Sequence, residues 1–151
     1  MNRKQFMEYV DHFNNHRWEK VTSYFRPDVT LEYPDNFMGP QIPGVTGNTL
    51  HGPKEFIANY KALAANVREV LNVGAFLSRG RQFCVELITE FHVFRDPPEG
   101  TIAATKWKKG DIKILNQIVL YDLDEKGKFQ RIRIFHHRHL DPKTAKYKET
   151  A

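Results

Sequence analysis

Three side chains of this sequence could carry acid–base chemistry on a carbonyl compound. His136 stands in a run with His137 and His139, and an imidazole titrates close to neutral pH, so it can move a proton in either direction. Tyr9 and Tyr33 each carry a hydroxyl that can donate a hydrogen bond to an oxygen whose negative charge grows during a reaction. The alternatives are an exposed basic strand end for the histidines and ordinary core positions for the tyrosines.

Asp35 and His51 are further candidates at the edge of the same expected pocket. Asp35 follows Pro34 and could act as a base if its loop folds inward, although Asp in such a sequence more often forms a turn. His51 directly precedes a predicted helix and could face the pocket. Both residues would extend the same acid–base chemistry.

Other side chains could line the wall of a ligand pocket. Large aromatic side chains can hold an apolar ligand in place, and an amide can fix its orientation. The aromatic residues could equally be core. We predict substrate contacts for Phe37, His51, Phe91, Trp107, Gln117 and Tyr121.

Neither a metal nor a cofactor is predicted. Glu86, Glu90 and His92 share one strand face, but this face lies opposite an apolar stripe, so a dimer interface or exposed ion pairs explain them better than a metal site. Cys84 has no convincing histidine partner on its own face and is interpreted as structural. The sequence also lacks a glycine-rich phosphate loop, a nucleophile elbow and an HExxH motif.

The pattern of apolar residues predicts the elements that must position these groups. Helical spacing predicts helices, and period-two alternation predicts strands. Helices are predicted over residues 3–14, 18–25 and 53–66, and strands over residues 29–33, 69–77, 82–95, 101–107, 112–122 and 129–139. Helices followed by a meander of long antiparallel strands indicate an α+β layer arrangement.

Residues 25–63 are expected to form one wall and the lip of a pocket. They comprise a buried strand that ends at Tyr33, a loop rich in Gly and Pro, and a helix that begins near Pro53. The inward side chains of the last two strands are predicted to be Leu115, Gln117, Val119, Tyr121, Ile132, Ile134 and His136. A register slip of one residue would bring His137 inside instead of His136.

Composition favours one cytoplasmic domain. The chain has 151 residues, including 11 phenylalanines that can fill a core. We expect a single domain over residues 1–142 and a flexible basic tail over residues 143–151. The single cysteine fits a reducing compartment, and no apolar run is long enough to span a membrane. The net charge of +5 is spread over basic residues without a nucleic-acid-binding motif, so nucleic acid is not the favoured partner.

The order of several motifs resembles the nuclear transport factor 2-like superfamily. These motifs are YFRPDVTLEYP, HGPKEFIANYKAL and DEKGKFQRIRIFHH, and the resemblance covers roughly residues 3–140. It implies an α+β fold in which a cone-shaped, curved antiparallel sheet, or α+β barrel, wraps around N-terminal helices and encloses an apolar pocket. It also implies a homodimer formed through the sheet. The superfamily includes SnoaL-like polyketide cyclases, ketosteroid isomerases and non-catalytic transport factors, so the fold does not select an activity.

The first third of the chain is similar to the ketosteroid isomerases without a gap. The resemblance places Tyr9 on the tyrosine that donates to the developing enolate, Tyr33 where the isomerases keep their aspartate base, and Gln117 near their protonated aspartate. Two of the three positions differ, which argues against steroid isomerisation by that mechanism. Tyr33 also matches a tyrosine that polarises the substrate carbonyl in scytalone dehydratase. Of the families compared, the SnoaL-like cyclases conflict least with the residues of this sequence.

The leading hypothesis is therefore a cofactor-independent SnoaL-like enzyme for a small, polyketide-like carbonyl compound. It would catalyse cyclisation, isomerisation or dehydration, with Tyr9 and Tyr33 polarising the oxygen and His136 or Asp35 moving the proton. The alternative is a non-catalytic small-ligand-binding or dimeric interaction module of the same fold. A weaker third possibility is an acidic or nucleic-acid partner that binds the basic residues of the last strand.

Overall fold

Three helices and one curved six-stranded sheet make up the computed structural model, which describes residues 1–33, 48–99 and 107–149. The helices are α1 (Arg3–Asn14), α2 (Trp18–Thr22) and α3 (Gly52–Ala64). The strands are β1 (Phe25–Glu32), β2 (Thr49–His51), β3 (Val67–Arg79), β4 (Gln82–Val93), β5 (Ile112–Leu123) and β6 (Phe129–Leu140). A short 3₁₀ helix, Pro142–Thr144, follows β6. The cone-shaped α+β arrangement is confirmed.

Helix α1 begins with a reciprocal capping arrangement. The Asn2 side chain accepts a hydrogen bond from the Gln5 N–H, and the Gln5 side chain accepts one from the Asn2 N–H, each at 2.9 Å. These two contacts satisfy donors that the first helical turn would otherwise leave without partners. One face of the helix is apolar and buried, from Phe6 at its start to Phe13 near its end. The predicted helix over residues 3–14 is confirmed.

The second helix is shorter than predicted. It ends at Thr22, three residues before the predicted end, because the chain already enters β1 at Phe25, which pairs with Phe129 of β6. Helix α3 begins as predicted near Pro53, which occupies its first turn. The preceding Gly52 has φ +77°, and a Cβ atom there would approach the Pro27 carbonyl oxygen to 3.2 Å. This position therefore favours glycine.

The sheet has the order β2-β1-β6-β5-β4-β3 and does not close into a barrel. Strands β3 to β6 form the predicted antiparallel meander, but β1 and β6 are parallel, so the sheet is mixed and not purely antiparallel. A hairpin forces its strands to be antiparallel, whereas β1 and β6 are joined only through the whole intervening chain, which leaves their direction free. Strand β2 was not predicted because three residues give too little alternation to recognise.

The register between β5 and β6 decides which histidine faces inward. Gln117 pairs with His136, whereas Asn116 pairs with Arg138, so His137 is the extra residue of a bulge. Ile132, Ile134 and His136 thus lie on the inner face, as the alternation predicted. The predicted strand over residues 101–107 falls almost entirely outside the described residues.

The helices and the inner sheet face meet in an aromatic core. Phe6 of α1 is fully buried and contacts Phe83 and Tyr121, with ring centroids 5.3 and 5.5 Å away. Phe83 and Tyr121 stack on each other at 4.4 Å with nearly parallel rings. Such pairs contribute about 0.5–1.5 kcal/mol each beyond their burial. This cluster joins α1 to the inner face of β4 and β5.

The chain after β6 returns to the outer face of the sheet. The backbone N–H groups of Lys146 and Tyr147 donate to the Glu90 carboxylate at 2.8 and 3.1 Å. His92 contacts the same carboxylate at 2.8 Å, and the Arg68 guanidinium lies over the Tyr147 ring. Glu90, which we expected in a dimer interface or an exposed ion pair, is consequently only 1% exposed. These contacts fall within the segment that we expected to be flexible.

Among the described helices, none is long and apolar enough to cross a membrane.

Candidate functional site

A cavity lies between the helices and the inner face of the sheet. Most of its wall is apolar, and its polar lining residues come from α1, α3 and five positions along the sheet. They are Tyr9, Tyr33, Asn59, Tyr60, Glu69, Gln117, Tyr121 and His136. The centre of a water molecule can reach about 50 Å³ of it, which is room for a few waters. A ligand is therefore compact or displaces side chains of the wall.

The structure brings five predicted polar or aromatic side chains together with the apolar Phe91. Tyr9 reaches the cavity from α1, Tyr33 from the end of β1, Gln117 and Tyr121 from β5, and His136 from β6. Phe91 of β4 completes this set. Residues that are far apart in the sequence thus share one small space.

Two other predicted site residues, His51 and Trp107, do not join this set. His51 lies outside the cavity because it ends the edge strand β2, where its side chain is exposed and 3.9 Å from Glu55. Trp107 packs on Phe91 at 5.1 Å, in a separate apolar cluster behind the cavity wall. Asp35 and Phe37 lie outside the described residues.

Tyr33 belongs to a hydrogen-bonded group with two residues of α3. Its hydroxyl donates to the Tyr60 hydroxyl at 2.9 Å and accepts from the Asn59 amide at 3.2 Å. Burial raises the pKa of Tyr33 and of Tyr60, so both stay protonated at neutral pH. Because hydroxyl groups rotate, the pair can offer one O–H to a ligand from either ring.

Tyr9 is a second buried hydroxyl in the cavity. It is 3% exposed and packs edge-on against Tyr24 and Phe129. Burial, followed by the influence of Tyr121 and of Glu69, raises its pKa well above the ordinary value. Tyr9 is therefore a neutral hydrogen-bond donor across the physiological pH range.

His136 of β6 and Gln117 of β5 are paired in the sheet, and both line the cavity. Burial and the neighbouring His139 lower the pKa of His136, so its ring is neutral near pH 7 and able to accept a proton. The Gln117 carbonyl oxygen accepts a hydrogen bond from the Thr89 hydroxyl at 2.8 Å. That contact holds the Gln117 amide in one orientation.

Sequence reasoning did not identify Glu69 as a cavity residue. It lies on the inner face of β3 between the buried Val67 and Leu71, and burial raises its pKa to about 8. Its Oε2 atom is buried and has no hydrogen-bond partner among the described residues. The sequence signal that could have identified it is a charged residue, Glu69, at an inward position between the apolar Val67 and Leu71. We missed it because the predicted strand began at residue 69, whereas β3 begins at Val67.

Metal binding has no support in the part of the chain that the structure describes. There, no group of three or more His, Cys, Asp or Glu side chains is arranged to hold a metal ion. Of the suggested set, Glu86 accepts a hydrogen bond from Asn116 and Glu90 is engaged by the chain end. Both carboxylates therefore have hydrogen-bond partners within the protein.

The sequence matches one family model. The model describes a SnoaL-like domain, and it covers residues 6–129, from the first turn of α1 to the first residue of β6. A comparison with curated proteins finds no match.

Solved structures with the same fold are numerous and distant in sequence. A Burkholderia pseudomallei protein, NTF2-like and of unknown function, is 17% identical with a TM-score of 0.66, over 89% of this chain and 88% of its own. The epoxide hydrolase/cyclase-like enzyme SalBIII, with a role in pyran ring formation in salinomycin, is 16% identical with a TM-score of 0.63, over 91% and 95%. A Mycobacterium tuberculosis protein in complex with estradiol-17β-hemisuccinate is 13% identical with a TM-score of 0.60, over 83% and 85%. At these identities the likeness establishes the fold alone.

Proposed function

The chain belongs to the SnoaL-like domain family, and from that premise we propose that it is a cofactor-independent enzyme for a compact, carbonyl-bearing metabolite. The reaction class is cyclisation, isomerisation or dehydration through an enol or enolate. One observation carries this proposal: neutral tyrosine hydroxyls, an oriented amide and a neutral imidazole line one small, otherwise apolar cavity. Fixed donors in a dry site stabilise a developing oxyanion more strongly than water does.

The tyrosines hold the substrate oxygen in this proposal. Tyr9 donates from α1, and the Tyr33–Tyr60 pair donates from the end of β1 and from α3. Because burial keeps these hydroxyls protonated, they donate to the oxygen as it gains charge without first losing their own protons. Gln117, Tyr121 and Phe91 orient the substrate.

His136 moves the proton in this scheme. Its ring lines the cavity and is neutral near pH 7, so it can accept a proton from the substrate and return it. Asp35 remains a second candidate for this role. Activity that depends on neutral His136 falls as the pH drops below the lowered pKa of its ring.

The structural relatives support small-molecule chemistry in this fold. SalBIII is an enzyme with a role in ring formation, and the mycobacterial protein holds a steroid ester. Both facts belong to those proteins and support only the general class of ligand for this one. The 50 Å³ space here favours a smaller molecule than a steroid.

Turnover of a panel of small cyclic ketones and β-hydroxy ketones tests the proposal. Tyr33→Phe and His136→Ala should each lower kcat/KM by roughly 100-fold or more. Tyr24→Phe is the matched tyrosine control, and His137→Ala is the matched histidine control on the bulge. Equal turnover in all four variants and the unmodified protein would refute the site assignment.

A non-catalytic binding module is the second candidate. The observation in its favour concerns Tyr33, which stands where the ketosteroid isomerases keep their aspartate base. Its hydroxyl is already hydrogen-bonded to Tyr60 and Asn59. A ligand-binding cavity needs no base. Binding of the ketones with no turnover by the unmodified protein would select this alternative.

We also propose that two copies associate through the outer face of the sheet. The apolar residues of this outer face include Leu77 and Phe135, which are 72% and 49% exposed. In the sheet, Phe135 lies beside Ile118, and Leu120 lies beside Cys84. Together with Leu77, these residues form one continuous apolar patch across β3 to β6. Contiguous exposed apolar surface of this kind favours association.

A further inference from the structure

We propose that the Glu69 carboxylate is the general base of the cavity, which removes a proton from the carbon next to the ligand's carbonyl group and returns it at another atom. This inference rests on the proposed function and deepens it. It names Glu69, on strand β3, as the base in place of His136, and it keeps the tyrosine donors and the reaction class of the proposed function.

The first support is the position of the carboxyl group. Glu69 lies on the inner face of β3, and its Oε2 atom is buried without a hydrogen-bond partner among residues 1–33, 48–99 and 107–149. A buried polar atom without a partner lowers stability, so native proteins rarely keep one without a reason. A ligand in the cavity would supply the missing contact.

The second support is the set of groups around it. The titratable side chains that line the same cavity, or the small cavity beside it, are Tyr9, His16, Tyr33, Tyr60, Tyr121 and His136. The guanidinium of Arg68, the preceding residue, is engaged by His16 and the Asn14 carbonyl oxygen. Without a compensating cation, burial raises the Glu69 pKa to about 8, close to working pH, where a general base is most effective.

The third support is the closeness of Glu69 to the proposed oxyanion donors. After burial, the charge of Glu69 contributes to the raised pKa of Tyr9, Tyr33 and Tyr60. All four side chains line the same cavity, of which a water centre can reach about 50 Å³, so the base and the donors can act on adjacent atoms of one small molecule. A carbonyl oxygen and its α-carbon are such adjacent atoms.

The chemical step balances without a co-reactant. Oε2 takes the α-proton, the C–H electron pair becomes the C=C bond of the enolate, and the carbonyl π pair moves to the oxygen that the tyrosines hold. The protonated carboxyl then gives the proton to a different carbon in isomerisation. In dehydration it gives the proton to a β-hydroxyl group, which leaves as water while the enolate electrons form the new double bond.

Exchange of the α-protons of 1-indanone in D₂O, followed by ¹H NMR, tests this step without requiring product. We expect the unmodified protein to accelerate exchange, with a rate that rises with pH and levels off above about pH 8. Glu69→Gln should lower the rate by roughly 100-fold or more, and Glu69→Asp should retain part of it. Glu125→Gln, in the exposed hairpin turn, should match the unmodified protein.

Difference infrared spectroscopy gives an independent readout on the ligand-free protein. A protonated carboxyl band that disappears near pH 8 and is missing in Glu69→Gln supports the proposal. A Glu69 carboxyl that titrates near its ordinary pKa of ~4.3, or an exchange rate that Glu69→Gln leaves unchanged, would overturn it.

The two proposals fail in different ways. If no ketone of the panel is converted but indanone exchange depends on Glu69, the proposed reaction is wrong and the base assignment stands. If ketones are converted, but neither the indanone exchange rate nor the infrared carboxyl band changes in Glu69→Gln, the base assignment is wrong and the enzyme proposal stands. If the unmodified protein does not accelerate exchange, Glu69 is not a base for such ketones.

Discussion

The hydroxyl of Tyr33 donates a hydrogen bond to the hydroxyl of Tyr60 across 2.9 Å, and so joins the end of β1 to α3 inside the cavity. The Tyr60 ring is buried and the Tyr33 ring partly buried in the cavity wall, and Asn59 donates to Tyr33 from the same helix as Tyr60. The group therefore fixes α3 to the sheet and at the same time presents a donor to a ligand. Stability and function depend on the same hydroxyls.

Tyr33→Phe should destabilise the fold as well as lower activity. Removal of the hydroxyl leaves the Asn59 amide and the Tyr60 hydroxyl with one partner fewer, which costs about 1–3 kcal/mol of unfolding free energy. Urea denaturation measures this change. The double variant Tyr33→Phe/Tyr60→Phe should lose less than the sum of the two single variants, because both remove the same hydrogen bond. Strict additivity would contradict the coupling.

Glu69 should make stability depend on pH. Its pKa is raised from an unfolded value near 4.5 to about 8, so the folded state holds a proton that the unfolded state releases. The stability that depends on this bound proton is fully present below pH 4.5 and is lost as the pH rises toward 8. The unmodified protein should therefore lose about 1.4 kcal/mol per pH unit relative to Glu69→Gln between pH 5 and 8, and nothing further above. Denaturant midpoints at each pH measure it, and parallel curves would contradict it.

The chain end should stabilise the sheet through Glu90. Deletion of residues 146–151 removes the two N–H donors and exposes a carboxylate that is now 1% accessible. We expect a loss of about 1–3 kcal/mol in thermal or urea denaturation. Deletion of residues 148–151 keeps both donors and serves as the control. Equal stability of the two truncated proteins would show that these hydrogen bonds contribute nothing.

The proposed dimer should respond to charge on the outer face. Phe135→Lys places a cation within the apolar patch and should shift sedimentation from a dimer to a monomer. Met7→Lys alters a comparably exposed apolar residue, 43% accessible, on α1 and should not change the oligomeric state. A monomeric unmodified protein would contradict the proposal directly.

The sequence predicted most of the elements because each carried a local signal. Helical spacing of apolar residues marked α1, and alternation marked the long strands. The parallel direction of β1 and β6 had no local signal, since it depends on where the meander returns. The bulge at His137 was likewise invisible, because alternation shows two faces but not an inserted residue.

The candidate site was predictable only in part for the same reason. Tyr9, Tyr33 and His136 were chosen for their chemistry, and the structure places all three on one cavity. Glu69 became a candidate only once β3 was seen to start at Val67. The bond between Tyr33 and Tyr60 is a tertiary contact between residues 27 positions apart, which no local pattern encodes.

The open sheet has a further consequence for the behaviour of the protein at high concentration. The outer edge of β3 would present free backbone groups to another chain, but side chains of α1 already occupy it. The Asn14 amide pairs with both the N–H and the carbonyl oxygen of Leu71, and the Arg3 guanidinium donates to the Gly74 carbonyl oxygen. Over residues 71–74, a neighbouring molecule therefore finds backbone groups already engaged where it would add a strand. The first helix thus protects the fold against edge-to-edge aggregation.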